Sequence, residues 1–408
     1  MLQNLEENAI LLLGRNSVDA KHWGKIEKIF SSKSFNWELF YQLCFAHGLW
    51  GFVFNNIKER FILPKDIYIK LSLLCQSAFK RNLLLFEEQK KILTLFNQEG
   101  LPVIPLKGID FNTRVYGKIF ELKTTTDIDF LVLQKDVHKA IDLLQRKLNY
   151  YTKASTRKIK QKSILFWNKD ISFYKKKDHY DCAPSILELH WSLVFNLWLD
   201  HLALEIIWKE KILEKWENIP VLRMSPQNEL LFLLVHGSKH RWECLRYVVD
   251  VHEFILKCSF NDKQWEEIVR KAFYFRWERF CFLGLSVAQK LYESPVPEEV
   301  LEKLGENWIK KEDIFSSTLP FPYIRHFSLF ELFSSPKHKL LFSLKSLRFP
   351  SEDLVQKFPL PSFLSFLYIP LSAFFSSWAW LRRNFFSLFP YKLKLQLKSI
   401  EKHLSNSL

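Results

Sequence analysis

Glycine is scarce in this chain, with 10 residues in 408, whereas phenylalanine reaches 38 and tryptophan 14. That balance disfavours an all-β fold and predicts a helix-rich chain with large aromatic anchors in its cores. Two glycine signatures are missing altogether, Gly-x-x-x-x-Gly-Lys-Ser/Thr and Gly-x-Gly-x-x-Gly, which sets aside P-loop and Rossmann nucleotide sites. Neither a Gly-x-Ser-x-Gly elbow nor a paired Cys and His suggests acyl transfer. The six cysteines lie far apart without a Cys-x-x-Cys pair, against a zinc ribbon or disulfide framework and in keeping with a reducing compartment. The start, "MLQNLEENAI", shows no basic stretch before an apolar one, so no secretory signal is visible and a cytoplasmic protein is expected. No repeat of solenoid period occurs.

What is present is ordinary for a folded chain long enough for two or three cores: 48% hydrophobic and 25% charged residues. The formal net charge of +15 favours anionic partners, whether nucleotide phosphates, nucleic acid or acidic lipid.

Up to about residue 100 the apolar residues return every three or four positions, as in "WELFYQLCFAHGLWGFVFNNI" and "NLLLFEEQKKILTLFNQEG", with Gly100 closing the last helix. "LPVIPLKG" then reads as a short strand, "IDFNTRVYG" as a helical turn, "DIDFLVL" as a second strand and "KDVHKAIDLLQRKLNY" as an amphipathic helix. This order is an α/β unit. Further strands are expected at "SILFW", "DISFY" and "SILELHWSLVF". From "SPQNELLFLLVHGSKHRWECLRYVVDVHEFILK" onward the chain reads as helical, with Ser225 as cap and Pro226 at the first position. If that stretch is one helix, His236, Lys239, His240, Glu243, Tyr247 and Asp250 share a side. The fold class is therefore α/β (α+β): a mixed-sheet core flanked by N-terminal and C-terminal helical regions. Expected boundaries are 1–90 (helical), 91–222 (core), 223–318 (helical) and 319–408 (basic, aromatic-rich tail).

Within the core, "TTTDIDFLVL" carries Asp127 and Asp129 one residue apart, and a strand aims both carboxylates at one face. Two such acids repel each other unless a cation neutralises them; the competing reading is a solvated strand end. In "SILELHW", Glu188 and His190 share the other expected strand's face. Asp127, Asp129 and Glu188 together make a three-carboxylate site suited to Mg2+ (or Mn2+), which binds through a few oxygens plus substrate phosphates. Lys107 follows a strand and can meet a phosphate, while Gly108 permits close backbone approach. His236, Lys239, His240 and Arg241 are expected to contact a nucleotide or acceptor, or else to form a packed helix face; "HGSKH" lacks the glutamate of a zinc protease helix. Lys153, Arg157, Lys158, Lys160, Lys162, Lys169, Lys175, Lys176 and Lys177 form either a solvated face or a phosphate-attracting rim.

The blocks "LPVIPLKGIDF…VYG…LKTTTDIDFLV", "LELHWSL" and "LLFLLVHGSKHRWECLRYVVDV" come in the order of, and resemble, a large uncharacterised bacterial nucleotidyltransferase family of the DNA polymerase β-like superfamily, over roughly residues 35–255. The resemblance implies a nucleotidyltransferase core in which Asp127 and Asp129 are the metal pair and Glu188 the third carboxylate, a ligand and activator of the acceptor hydroxyl. It matches Lys107 and Gly108 to the family's Lys-Gly turn, where the wider superfamily carries Gly-Ser. It also implies phosphate or nucleotide contacts for Lys123, Thr125 and His190. Lys123 stands where relatives usually carry arginine, keeping the charge but not the bidentate fork.

The implied activity is metal-dependent transfer of a nucleoside monophosphate from an NTP to an acceptor hydroxyl. Relatives often belong to surface-polysaccharide or secondary-metabolite gene sets. The alternatives are a catalytically idle fold that binds nucleotide or regulates a partner, and an RNA-end modifier, the latter without a legible RNA-binding module. Residues 358–402 combine a charge-free aromatic run with Arg382, Arg383, Lys392, Lys394 and Lys398. That segment is expected either at an anionic headgroup layer of the inner membrane or packed on the protein.

Overall fold

A computed structural model describes residues 4–117, 120–152, 169–175, 186–195, 197–306, 308–316, 321, 322, 324, 325, 327–348, 367, 370, 371 and 374. The "SILFW" strand, the basic residues Lys153, Arg157, Lys158, Lys160, Lys162, Lys176 and Lys177, and nearly all of the tail at 358–402 lie outside the described residues. Two compact units are formed, one by 1–314 with 326–334 and the other by 315–325 with 335–408. In the second, Phe315 and Ile324 form a β-bridge, and a helix spans Pro336–Arg348.

The first unit begins with α1 (Leu5–Leu13), α2 (Ala20–Phe30), α3 (Trp37–His47), α4 (Trp50–Ile57) and α5 (Lys65–Gln98). Asn36 caps α3 by accepting from the Leu39 N–H, and Gly48, with φ of +67°, ends it in a left-handed turn. At 34 residues α5 is about 50 Å long at 1.5 Å per residue, and it runs through residue 90. Its buried stripe, Ile67, Leu71, Cys75, Ala78, Asn82, Leu85, Gln89, Ile92 and Phe96, keeps helical spacing throughout. The stop is chemical: the Leu101 N–H reaches back to the Phe96 carbonyl at 2.8 Å, across Gly100 at φ +61°.

Next come β1 (Val103–Pro105), α6 (Ile109–Val115), β2 (Asp127–Val132), α7 (Val137–Leu148), β3 (Tyr150–Tyr151), β4 (Asp170–Lys175) and β5 (Ile186–His190). The sheet order is β1-β2-β5-β4-β3, with β2 and β5 parallel and every other pair antiparallel. Period-two alternation then sorts the side chains. Ile128, Phe130, Val132, Ile171, Phe173, Leu187 and Leu189 join the apolar core with Leu85, Phe86, Ile92, Leu93 and Phe96 of α5 and Val137, Ala140, Ile141 and Leu144 of α7. The opposite face holds Asp127, Asp129, Glu188, His190 and Asp170.

The strand expected from "SILELHWSLVF" stops at His190. Beyond it, the Trp191 and Ser192 N–H groups still reach the Lys169 carbonyl, but the Asp200 carboxylate accepts the Ser192 hydroxyl and the N–H groups of Leu193, Val194 and Phe195, at 2.7 to 3.0 Å, so from Leu193 the backbone bonds to a side chain instead of a neighbouring strand. Helix α8 (Leu197–Lys209), which carries Asp200, leads to a hairpin of β6 (Ile212–Trp216) and β7 (Ile219–Arg223). Its two turn residues, Glu217 and Asn218, have φ of +50° and +65°.

Helices α9 (Pro226–Lys239), α10 (Leu245–Cys258), α11 (Asp262–Phe275), α12 (Glu278–Tyr292) and α13 (Glu298–Gly305) complete the unit, apart from a short helix at Leu329–Leu332. The single long helix expected after Ser225 is therefore two, because Arg241 and Trp242 take left-handed φ of +56° and +54°. The cause lies in Trp242, which turns its indole back onto Gly237 and Gly284. A Cβ at either glycine would meet the ring at 2.4 or 2.6 Å, and the indole N–H donates to Ser238 Oγ at 3.2 Å.

Gly51 of α4 has a comparable role near the site, since a Cβ there would fall 2.3 Å from the carbonyl oxygens of both Glu121 and Leu122. Gly51→Ala is expected to cost about 1–3 kcal/mol, read as a lowered urea midpoint at unchanged slope.

Candidate active site

The acids come together through register. Asp129 of β2 is paired with Glu188 of the parallel β5, and Asp170 of β4 with His190. Asp129 is 1% exposed. Its Oδ1 lies 3.1 Å from His190 Nε2 and its Oδ2 3.1 Å from Lys107 Nζ. The same His190 Nε2 is 3.3 Å from Glu188 Oε2, while His190 Nδ1 faces Asp170 Oδ2 at 3.6 Å. One ligand atom each from Asp129, Glu188 and His190 fall within 4.8 Å of one another.

Neighbouring acids on one strand titrate in opposite directions here. Burial pushes the Asp127 carboxyl up to about 6, the Asp129 and Glu188 charges adding to the effect and Lys107 opposing it. Burial acts on Asp129 in the same sense, but Lys107 and His190 outweigh it and hold that carboxyl well below the usual range. The hydrogen bond from His190 likewise lowers Glu188 against burial and the Asp129 charge. Lys107 loses solvent, yet Asp129, Asp127 and Glu188 keep its ammonium above the ordinary lysine range. Negative charge is thus concentrated on one face and only partly balanced.

Two further ammonium groups feel the same charges. Burial and Lys239 pull Lys169 down to about 8, with Glu188 and Asp129 opposing and the adjacent Asp170 carboxylate in contact with it. Lys239, near the end of α9, is lowered by burial and by Lys107. Desolvation, followed by the Lys107 charge, pushes His236 well below 6.5. Although α9 and α10 are separate helices, His236, His240 and Tyr247 still cluster: the two imidazoles are 4.8 Å apart, and His240 stacks on Tyr247 at 5.0 Å and 13°.

The turn that delivers Lys107 is built closely onto the acid strand. Gly108, at φ +75°, starts α6, and a Cβ there would approach the Asp127 carbonyl oxygen at 3.3 Å. The loop ahead of Asp127 is fixed from α5. Asn82 donates to the carbonyls of Phe120 and Lys123 and accepts from the Thr125 N–H, while Arg81 donates to the carbonyls of Thr125 and Thr126.

Residues 33–293 match the uncharacterised nucleotidyltransferase family. The chain belongs to it. No curated protein and no solved structure matches the chain. The match extends beyond the stretch of resemblance, into α12, and takes in every residue of the acid and lysine cluster.

Within this nucleotidyltransferase, several of the residues assigned to phosphate or nucleotide have protein partners. Lys123 reaches both oxygens of Asp250, at 2.6 and 2.7 Å, and Tyr116 donates to the same carboxylate, so its ammonium is committed to a partner on α10. Thr125 is 5% exposed and its hydroxyl accepts from Asn112, which makes it an internal tie of the loop. His190 sits among the carboxylates. Arg241 lies in the left-handed turn, and among the described residues no hydrogen bond or ion pair joins its guanidinium to the acids. Conversely, sequence reasoning assigned no site role to Asp170, Arg81 or Asn82. Asp170 carried a usable signal, since it opens the "DISFY" strand next to the His190 strand. Arg81 and Asn82 sit mid-helix and carried none. Among the described residues, no helix is long and apolar enough to cross a membrane.

Proposed function

We propose that this chain moves a nucleoside monophosphate from an NTP to an acceptor hydroxyl and releases pyrophosphate, with a divalent cation, magnesium or manganese, held by Asp127, Asp129 and Glu188. The observation that supports this is three carboxylates on one sheet face, Asp129 and Glu188 drawn together with His190 and Asp127 one step back along β2, with Lys107 against Asp129, Lys169 against Asp170 and Lys239 feeling the same charges. The donor set fits such an ion: oxygen ligands, an Asp129 Oδ2 buried with only the Lys107 ammonium beside it, and an Asp127 carboxyl pushed up by burial and by the Asp129 and Glu188 charges against the pull of Lys107. When bound, the ion draws off negative charge from the reacting phosphate.

The chain's own residues supply the rest. The acceptor oxygen forms its bond to the α-phosphorus as the bond from that phosphorus to the β-bridging oxygen breaks. The acceptor proton passes to a carboxylate of the trio, and the lysines hold the departing pyrophosphate. Surface-glycan and secondary-metabolite hydroxyls are the acceptor classes favoured by the resemblance.

Pyrophosphate release from each NTP, with either metal and a panel of acceptor alcohols, tests this directly. Turnover is expected in the native chain and none in Asp127→Asn with Asp129→Asn; equal turnover in the double variant sinks the proposal. One observation favours a second reading, an idle fold that only binds nucleotide: the Lys107 ammonium already stands against Asp129 as a protein cation. Saturable NTP binding with no pyrophosphate release from any acceptor is its signature.

The lysines give a separate expectation. Lys169→Gln and Lys239→Gln are each expected to weaken NTP binding about 10-fold or more, given about 1.5–3 kcal/mol for a charged hydrogen bond, as read by titration calorimetry.

A further inference from the structure

Among the acids stands an imidazole with a carboxylate oxygen facing each of its ring nitrogens. His190 is 3% exposed and has carboxylate oxygens on both sides: Asp129 Oδ1 and Glu188 Oε2 near Nε2, and Asp170 Oδ2 near Nδ1. A neutral ring carries one N–H. If that hydrogen is on Nε2, the Nδ1 lone pair points at Asp170. If it is on Nδ1, a hydrogen bond toward Asp170 forms, and the Nε2 lone pair faces two carboxylate oxygens. A positive charge at Nε2 makes the second arrangement favourable, and a metal ion between Nε2 and those oxygens supplies it while leaving the Nδ1 hydrogen to Asp170.

Two buried atoms of the same residues lack a hydrogen bond. His190 Nδ1 has no hydrogen-bond partner, its nearest acceptor being Asp170 at 3.6 Å, and Asp129 Oδ2 has none although Lys107 Nζ stands 3.1 Å away as an ion-pair partner. Metal-binding histidines commonly donate their second ring N–H to a carboxylate, which fixes the tautomer and makes the coordinating nitrogen more basic. Asp170 is placed for that part, with Lys169 as its ion-pair partner on the other side.

We infer that His190 is itself a metal ligand through Nε2, beside Asp129 and Glu188, that Asp170 is its positioning residue, and that the resulting mixed nitrogen and oxygen site takes Mn2+ in preference to Mg2+. This rests on the proposed metal site but not on nucleotidyl transfer taking place there. Mg2+ is a hard ion that favours oxygen ligands, whereas first-row transition ions accept imidazole readily. Replacing one of three oxygen donors by a ring nitrogen therefore moves the site toward manganese.

The test uses the full chain without nucleotide. Calorimetric titration is expected to give at least about 10-fold tighter binding of Mn2+ than of Mg2+, and pulsed electron paramagnetic resonance of the Mn2+ form to show nitrogen coupled to the metal. In His190→Gln the nitrogen signal should vanish and the two affinities converge. Asp170→Asn should retain the signal but weaken Mn2+ binding by about 10–100-fold, leaving Mg2+ binding much less affected. Mn2+ bound without nitrogen coupling, equal affinities in the native chain, or no binding of either ion overturns the inference. Should His190→Gln fail to fold, the native spectrum and the Asp170→Asn titration decide alone. Nitrogen-coupled Mn2+ in a chain that never releases pyrophosphate would uphold this site while overturning the activity. Turnover with Mn2+ bound only through oxygens would do the reverse.

Discussion

Asp129→Asn is expected to lower nucleotide turnover by about 10³-fold or more, equivalent to about 4 kcal/mol of lost transition-state stabilisation. Asparagine keeps the shape and can still meet His190, so what is removed is the charge. Asp129 is the acid on which the other groups converge: Lys107 and His190 both contact it, and Glu188 is its partner across the strands. The neighbouring acid should behave differently in stability. In metal-free protein Asp129 is held ionised by favourable partners, whereas Asp127 is ionised against burial and the Asp129 charge. Asp127→Asn should therefore raise the thermal midpoint and Asp129→Asn lower it, while both reduce turnover. Thermal unfolding of the two single variants in chelator, beside pyrophosphate release in metal, checks the pair. Equal shifts in midpoint would remove the electrostatic asymmetry on which the site's description depends.

Much of this site was legible because a strand's period of two is a strict rule. Asp127 and Asp129, like Glu188 and His190, had to share a face once their segments were strands, and the hydrophobic alternates Ile128, Phe130, Leu187 and Leu189 had to form the core. What the pattern could not supply was which strand lies beside which. That β2 pairs with β5 in parallel, setting Asp129 against Glu188, depends on packing between segments nearly 60 residues apart. The same limit hid Arg81 and Asn82. On a helix read alone they are unremarkable polar residues, and their roles exist only because the loop before Asp127 presents bare carbonyls to α5.

The break between α9 and α10 illustrates a different limit. Residues 226–258 keep a good helical period, and neither Arg241 nor Trp242 favours a left-handed conformation by itself. Tertiary packing overrides local preference there, because burying the Trp242 indole between two glycines outweighs continuing the helix. Similarly, the β6–β7 turn uses Glu217 and Asn218 at positive φ, without the Asn-Gly or Asp-Gly pair that usually announces such a hairpin. Lys123 is a case where a partner could not be read from the sequence, since Asp250 arrives from α10, 127 residues away, to pair with the ammonium.

The hairpin and α6 are joined by a charge network whose disruption should give the largest stability change in the chain. Asp110 is 1% exposed and accepts from Arg223 at 2.5 and 3.2 Å and from Arg114 at 3.0 Å. Arg223 also pairs with Glu214, and Arg114 with Glu229. Asp110→Ala leaves the Arg223 guanidinium, whose side chain is only 4% exposed, without its main partner. The expected cost is about 3–5 kcal/mol, most of it the penalty of an uncompensated buried cation. Because that penalty belongs to the broken pair, a variant that removes both charges, Asp110→Leu with Arg223→Met, should recover a large part of the loss. The sign with pH follows from the Asp110 carboxyl, which Arg114 and Arg223 lower against the upward push of burial. Its contribution is fully present above the unfolded value of about 4 and is lost as pH falls through the lower folded value. Glu229, pushed up by burial despite Arg114, acts oppositely, binding a proton more readily in the folded chain. Urea unfolding of native and Asp110→Ala protein should therefore show a stability gap that is constant from neutral pH down to about pH 5 and closes below pH 4. A gap that stayed open at pH 2 would mean that the loss comes from the cavity and not from the charge.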